Sequence, residues 1–151
     1  MGVSAFVTAG GGFLLAVLWF DLMFDVQVLT RHERELPEEL LVSIAGYYRR
    51  VTTAARPMNR LIAAVMLATL GAIVAEIVDG GVSSWVAWTS LPLAAAPILL
   101  AGGHTVPSAV RLGARRDPID RQSALARSIC REHLLCFASI AALLALQLSF
   151  A

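Results

Sequence analysis

The stretch AFVTAGGGFLLAVLWFDLMFDVQVL, residues 5–29, decides the fold. Residues 5–20 carry no charge at all, and the first charged side chain is Asp21. A helix needs about 20 predominantly apolar residues to cross a hydrocarbon core of about 30 Å, and this stretch supplies them. Outward from it, three further apolar runs recur at 58–78, 84–102 and 133–150. With 58% hydrophobic residues, 15% charged residues and a mean hydropathy of +0.72, the 151-residue chain departs from a soluble composition. It reads as an all-α, polytopic membrane four-helix bundle: a single transmembrane domain over residues 1–151, seated in a lipid bilayer.

Charge placement gives the orientation. All the basic residues are arginines, at 31, 34, 49, 50, 56 and 60 in the first long connector and at 111, 115, 116, 121, 127 and 131 in the second. The turn between the second and third spans carries only Glu76 and Asp79 at its edge. By the positive-inside rule the two arginine-rich connectors are cytoplasmic and both termini lie outside, as in a multi-pass protein of a bacterial-type inner membrane. No basic residue precedes the first span, so it is expected to stay in place rather than act as a cleaved signal. A net charge of +1, with no basic domain interleaved with aromatics, excludes nucleic acid as a partner. Two cysteines make no disulfide framework.

The connectors should be helical. Pro37, Glu38 and Glu39 suit a first turn and Arg49 and Arg50 a last one, while Leu40, Leu41, Ile44, Tyr47, Tyr48 and Val51 recur at helical spacing. This amphipathic helix either lies on the membrane face or packs under the bundle. Asp117 and Pro118 read as an N-cap and first helical residue, and nothing breaks the chain from 119 to 150, so the last helix projects beyond the bilayer. Pro92 and Pro97 predict a kink in the third span unless neighbouring groups satisfy the freed carbonyls.

Asp21 and Asp25 are the most informative polar pair. At 1.5 Å per residue they lie about 15 Å and about 9 Å inside Arg31, and a charge so placed costs about 3 kcal/mol on insertion scales. They must face the bundle. There they hold a metal, relay a proton or serve as a base, or else form ion pairs with Arg60, Asn59 or Arg56 on the second span or with Arg131. Glu76 is expected at the outer interface without a special role. Ala64, Ala68 and Ala72 form a small-residue packing row, and Gly10, Gly11 and Gly12 read as close helix contacts. Cys130, His133 and Cys136 point in diverging directions on a helix and do not close on one ion. His104 and His133 fall at similar depth, and as a pair they could ligate haem or a metal; otherwise each serves in hydrogen bonding. No HExxH, GxSxG, Walker or Rossmann pattern is present, so no cofactor is predicted, with haem or metal left open.

Three stretches, SIAGYYRRVTTAARPMNRLIAA (43–64), HTVPSAVRL (104–112) and ARSICREHLLCFASIAALLAL (126–146), together resemble a family of small bacterial and fungal four-span proteins related to anthrone oxygenases. The resemblance implies oxygenation of polycyclic phenolic anthrones without an evident bound cofactor, and points to Arg131 and His133 as a pair entering the last helix. LWFDLMFDVQ (18–27) stands outside that family's pattern. The function expected first is an accessory or scaffold subunit, self-associating or docked on a larger membrane complex. The alternative is an enzyme that oxidises a lipophilic anthrone- or quinone-like small molecule. In it Asp21 or Asp25 is the base, Arg60, His133 or Arg131 orients the oxyanion, and Phe20, Phe24 and Phe137 are apolar walls. Proton or metal-ion transport along the aspartate face stands third.

Overall fold

A computed structural model describes residues 2–151, with Arg56 described by its backbone alone. Helix α1 covers Val3–Asp25 and runs on through a 3-10 turn to Val28; α2 is Glu38–Arg49, α3 Arg56–Asp79, α4 Ser84–Leu100, α5 Val106–Ala114 and α6 Ile119–Phe150. Among the described residues there is no strand. Four helical stretches, Val3–Val28, Pro57–Asp79, Ser84–Ala114 and Ile119–Phe150, are long and apolar enough to cross a membrane. The chain is an all-α bundle.

Local chemistry explains the boundaries. Helix α2 starts where expected, with Glu38 and Glu39 in its first turn and Arg49 in its last, complementing the helix dipole. Helix α3 ends at Gly80, whose φ of 66° is left-handed and whose N–H returns to the Glu76 carbonyl at 3.1 Å. One expectation needs correction. Asp117 does not cap α6: its carboxylate is drawn to Arg111 at 2.9 Å, and Pro118 takes the cap position. The third span continues through its prolines. Pro97 cannot donate to the carbonyl four residues back, but Ser139 on α6 donates its hydroxyl to that Leu93 oxygen at 3.0 Å, so α4 continues. The irregular turn comes later, as a π-helical segment at Ala101–Thr105, and the helix then resumes to Ala114, beyond the predicted end at 102.

The four long helices close a ring in which α1 packs on α3 and α6, and α4 packs on the same two. Val7, Leu14, Ile73, Ala94, Ile140 and Leu143 are buried inside it. Lipid is as apolar as these side chains, so close packing holds this core rather than escape from water. Gly10 shows how close: a Cβ there would sit 2.0 Å from the Thr69 hydroxyl oxygen. Gly11 is similarly tight against Leu144, whereas Gly12 has open space. Of the alanine row, Ala72 is partly buried but Ala64 and Ala68 are exposed, so the row is not a seam within this chain.

A second core forms at the end carrying the connectors. There α2 packs on α5 and both touch α6, burying Leu36, Leu41, Ile44, Leu112, Ala126 and Ile129. The amphipathic α2 thus packs under the bundle, and a Cβ at Gly113 of α5 would meet the Arg49 backbone nitrogen at 2.8 Å. Each such large side chain contributes about 1.5–3 kcal/mol if its unfolded alternative is water. The polar groups described next lie between the two cores.

Candidate functional site

Asp21 and Asp25, one turn apart on α1, both face inward toward α2 and α6. Asp25 is fully buried. Its Oδ1 accepts the Tyr48 hydroxyl at 2.7 Å, and its Oδ2 accepts from His133 Nδ1 at 2.6 Å. Asp21 accepts the Tyr47 hydroxyl on Oδ1 at 2.7 Å, while its Oδ2 faces His133 Nε2 at 3.9 Å, too far for a hydrogen bond. The Tyr48 oxygen also lies 3.4 Å from His133 Nδ1. Two carboxylates, two phenols and one imidazole from three helices therefore make a single network.

Its proton bookkeeping follows from who can donate. The Asp25 carboxylate is an acceptor, so the proton between it and His133 belongs to Nδ1, and in the neutral imidazole Nε2 keeps its lone pair. Burial first, and then the facing carboxylates, push both phenols well above their usual range, so Tyr47 and Tyr48 stay protonated and act as donors. Around them Phe24 stacks on Tyr47 with ring centroids 4.1 Å apart, and Tyr47 meets Tyr48 edge-on. The Asp21 side chain is 16% exposed and Tyr47 is partly exposed, so this half of the network lies nearer the surface than Asp25 and Tyr48.

Comparison with known proteins returns no match: no family model, no curated protein and no solved structure matches the chain. The site is therefore read from its own geometry.

Among the candidate residues named from sequence, Asp21, Asp25 and His133 meet. Arg60 and Arg131 are exposed, and among the described residues neither pairs with either aspartate. Arg131 is two positions before His133, about 200° around the helix, and points away. Asn59 donates instead to the Thr52 carbonyl at 2.9 Å, and the Arg56 side chain lies outside the described residues. Among the described residues, tyrosine and histidine bonds stand where ion pairs with Arg60 and Arg131 were expected. Phe24 flanks the site, Phe137 lies against Trp19, and Phe20, 61% exposed, is no wall.

The two histidines do not form a ligand pair. His104 Nδ1 contacts Glu132 at 2.7 Å, and the same carboxylate accepts from Ser128 at 2.8 Å and from Thr105 at 2.6 Å. Glu132 and His133 are consecutive on α6, so they diverge by about 100° and face different neighbours. Among the described residues no group of three or more His, Cys, Asp and Glu could hold a metal ion, and Cys130 and Cys136 are free and buried.

Glu76 also corrects an expectation. It lies one turn from the end of α3, yet it is buried, 1% exposed, because it turns toward Ser90 on α4 and Gln147 on α6. Gln147 donates from Nε2 to Glu76 Oε2 and to the Ser90 hydroxyl, both at 3.0 Å, while Glu76 Oε1 and Gln147 Oε1 have no hydrogen-bond partner among the described residues.

Sequence reasoning missed Tyr47 and Tyr48, which it took as the apolar face of α2. One signal pointed to them: two buried acids need donors, and adjacent tyrosines on an amphipathic helix are donors an apolar face can carry.

Proposed function

We propose that the chain is a multi-pass membrane enzyme that moves a proton from a lipophilic phenolic or enolisable ring compound, the first step in oxidising it. One observation carries this reading: Asp25 clamps His133 Nδ1 and leaves Nε2 unbonded, facing Asp21 across 3.9 Å. A carboxylate that fixes the tautomer of an imidazole and stabilises the imidazolium is the arrangement of a general base. Nε2 takes the phenolic or activated C–H proton, Asp25 holds the resulting imidazolium, and Asp21 with Tyr47 binds the hydroxyl edge of the ring. The Asp21 side chain keeps partial access to the surface at 16% exposed, and Phe24, stacked on Tyr47 beside it, gives that opening an apolar edge for a ligand arriving through the bilayer. The resemblance to anthrone oxygenases supports the substrate class. For an anthrone, the ring anion passes its electrons to dioxygen, and the balance is anthrone plus O2 to anthraquinone plus water.

The arginine distribution supports an inner-membrane orientation with cytoplasmic connectors and both termini outside; cysteines introduced at Arg34 and Arg115 should then react from the cytoplasmic side. The enzyme reading is tested with the purified chain in nanodiscs, supplied with an anthrone under air and followed by anthraquinone absorbance. His133→Gln should slow turnover by about 10²–10⁴-fold, the usual worth of a general base. A rate equal to that of empty nanodiscs, or one unchanged by the substitution, sinks the proposal.

A second reading, self-association as a scaffold, is favoured by the exposed Ala64 and Ala68 and by a groove of about 360 Å³ between α1 and α3 lined by Gly10, Phe13 and Ala68 among others. Small residues let a second helix approach closely. Ala68→Leu should abolish a crosslinkable dimer in mild detergent; a wild type that stays monomeric removes this reading.

A further inference from the structure

At the connector end, the final turn of α1 faces α6 across a surface recess of about 450 Å³ lined by Val28, Leu29, Arg31, Ala124, Arg127 and Arg131. Three of these are arginines and none is acidic. Ala124, Arg127 and Arg131 share one face of α6 by their spacing of three and four. Arg31 approaches from the α1 side, its N–H returned to the Val28 carbonyl at 3.2 Å.

Arg127 is held in place. Its Nη1 donates to the Arg34 carbonyl at 3.0 Å and its Nη2 to the Glu33 carbonyl. Carbonyls orient a guanidinium without cancelling its charge, so Arg127 remains a positioned cation. Arg31 and Arg131 are exposed, and among the described residues neither has an ion pair. Like charges one helical turn apart repel, and an anion seated among them reverses the sign of that interaction.

The surroundings distinguish what kind of anion fits. Arg131 lies just on the connector side of His133, and Val28 just beyond Asp25, so the recess opens where the apolar spans begin. Leu29 at its rim is 50% exposed. On the same face of α6, one turn deeper than Arg131, Leu134 and Leu135 are 38% and 66% exposed. Guanidinium groups recognise phosphate through paired N–H donors, and the leucines continue from them as an apolar track along which a chain can lie.

We propose that this recess binds an anionic phospholipid, its phosphate held by Arg31, Arg127 and Arg131 and an acyl chain lying along Leu134 and Leu135. The inference is independent of the catalytic reading. It is tested by titrating the full chain in neutral detergent with short-chain phosphatidylglycerol, with phosphatidylcholine of equal chain length, and with inorganic phosphate. Bound lipid is read by native mass spectrometry and stability by thermal unfolding. Phosphatidylglycerol should bind saturably and stabilise the protein, and the other two should not. R31Q/R131Q should bind about 30-fold more weakly, the loss expected for two basic contacts at an anionic surface. R116Q/R121Q removes the same charge from exposed positions outside the recess and should bind as the unmodified chain does. Equal weakening by both pairs would reduce the effect to diffuse attraction and overturn the proposal. Stabilisation by inorganic phosphate matching that by phosphatidylglycerol would overturn the assignment to lipid.

Discussion

The bundle holds buried acids near both ends, and their surroundings differ. Near the connectors, both Asp25 oxygens have donors, from Tyr48 and His133. Near the opposite end, Glu76 and Gln147 share one hydrogen bond and each keeps an oxygen without a partner among the described residues. The cause lies outside the membrane segment. Helix α2 is anchored in a water-excluding core with α5 and α6, and that core delivers two phenols to the aspartates; among the described residues no such element covers the other end. A polar group deep among helices is fully satisfied only when something rigid brings it donors, and a full set of donors is what a preorganised site requires.

The acid-to-amide exchange probes this contrast most strongly. Asp25→Asn offers an NH2 group where two donors already converge, and should cost about 3 kcal/mol, as breaking a buried charged hydrogen-bonded pair does. Reversible unfolding in mixed micelles measures it, and a loss no larger than that of an exposed substitution would mean the network is loose.

The tyrosines rank the two halves of the site. Tyr48→Phe leaves a fully buried carboxylate oxygen without its donor and should cost about 2 kcal/mol; Tyr47→Phe, beside the partly exposed Asp21, should cost about 1 kcal/mol. These are the chain's only tyrosines, so tyrosinate absorbance reports on them alone. Their phenols are raised in the folded state by burial and then by the aspartates. The stability they lend is therefore fully present below the unfolded value of about 10 and is lost as pH rises through the folded values. The folded protein should show no tyrosinate through the ordinary range, and alkaline destabilisation should weaken in the double phenylalanine variant. Ionisation at the ordinary value would show that the hydroxyls are not enclosed.

The smallest effect should have the opposite sign. Glu76→Gln keeps an acceptor for Gln147 and adds a donor where two oxygens lack one, so it should stabilise by about 1 kcal/mol. A loss as large as that of Asp25→Asn would erase the contrast between the two ends.

Between the ends, His133 and Gln147 are 14 positions apart on α6, about 21 Å, and Ile140 and Leu143 are buried between them against Leu14, Ile73 and Ala94. Transport would require a polar path through this packed layer.

The amino-acid sequence by itself determined the four long apolar helices, the helical connectors and the positions of Asp21, Asp25 and Glu76 along their helices, because hydropathy and helical rise are local and additive along the chain. It also carried the demand that the aspartates face inward, since the cost of exposing a charge to lipid does not depend on its partner. Only the tertiary structure decided which groups answer that demand. His133 meets Asp25 across 108 positions and Tyr48 meets it across 23, and the choice of histidine and tyrosine over arginine rests on the direction each side chain takes around its helix. That direction is set by how α2, α5 and α6 pack. The same kind of rotation buried Glu76, whose position along α3 was legible and whose facing was not: rise along a helix is read from residue count, while azimuth has no reference until the neighbouring helices are in place.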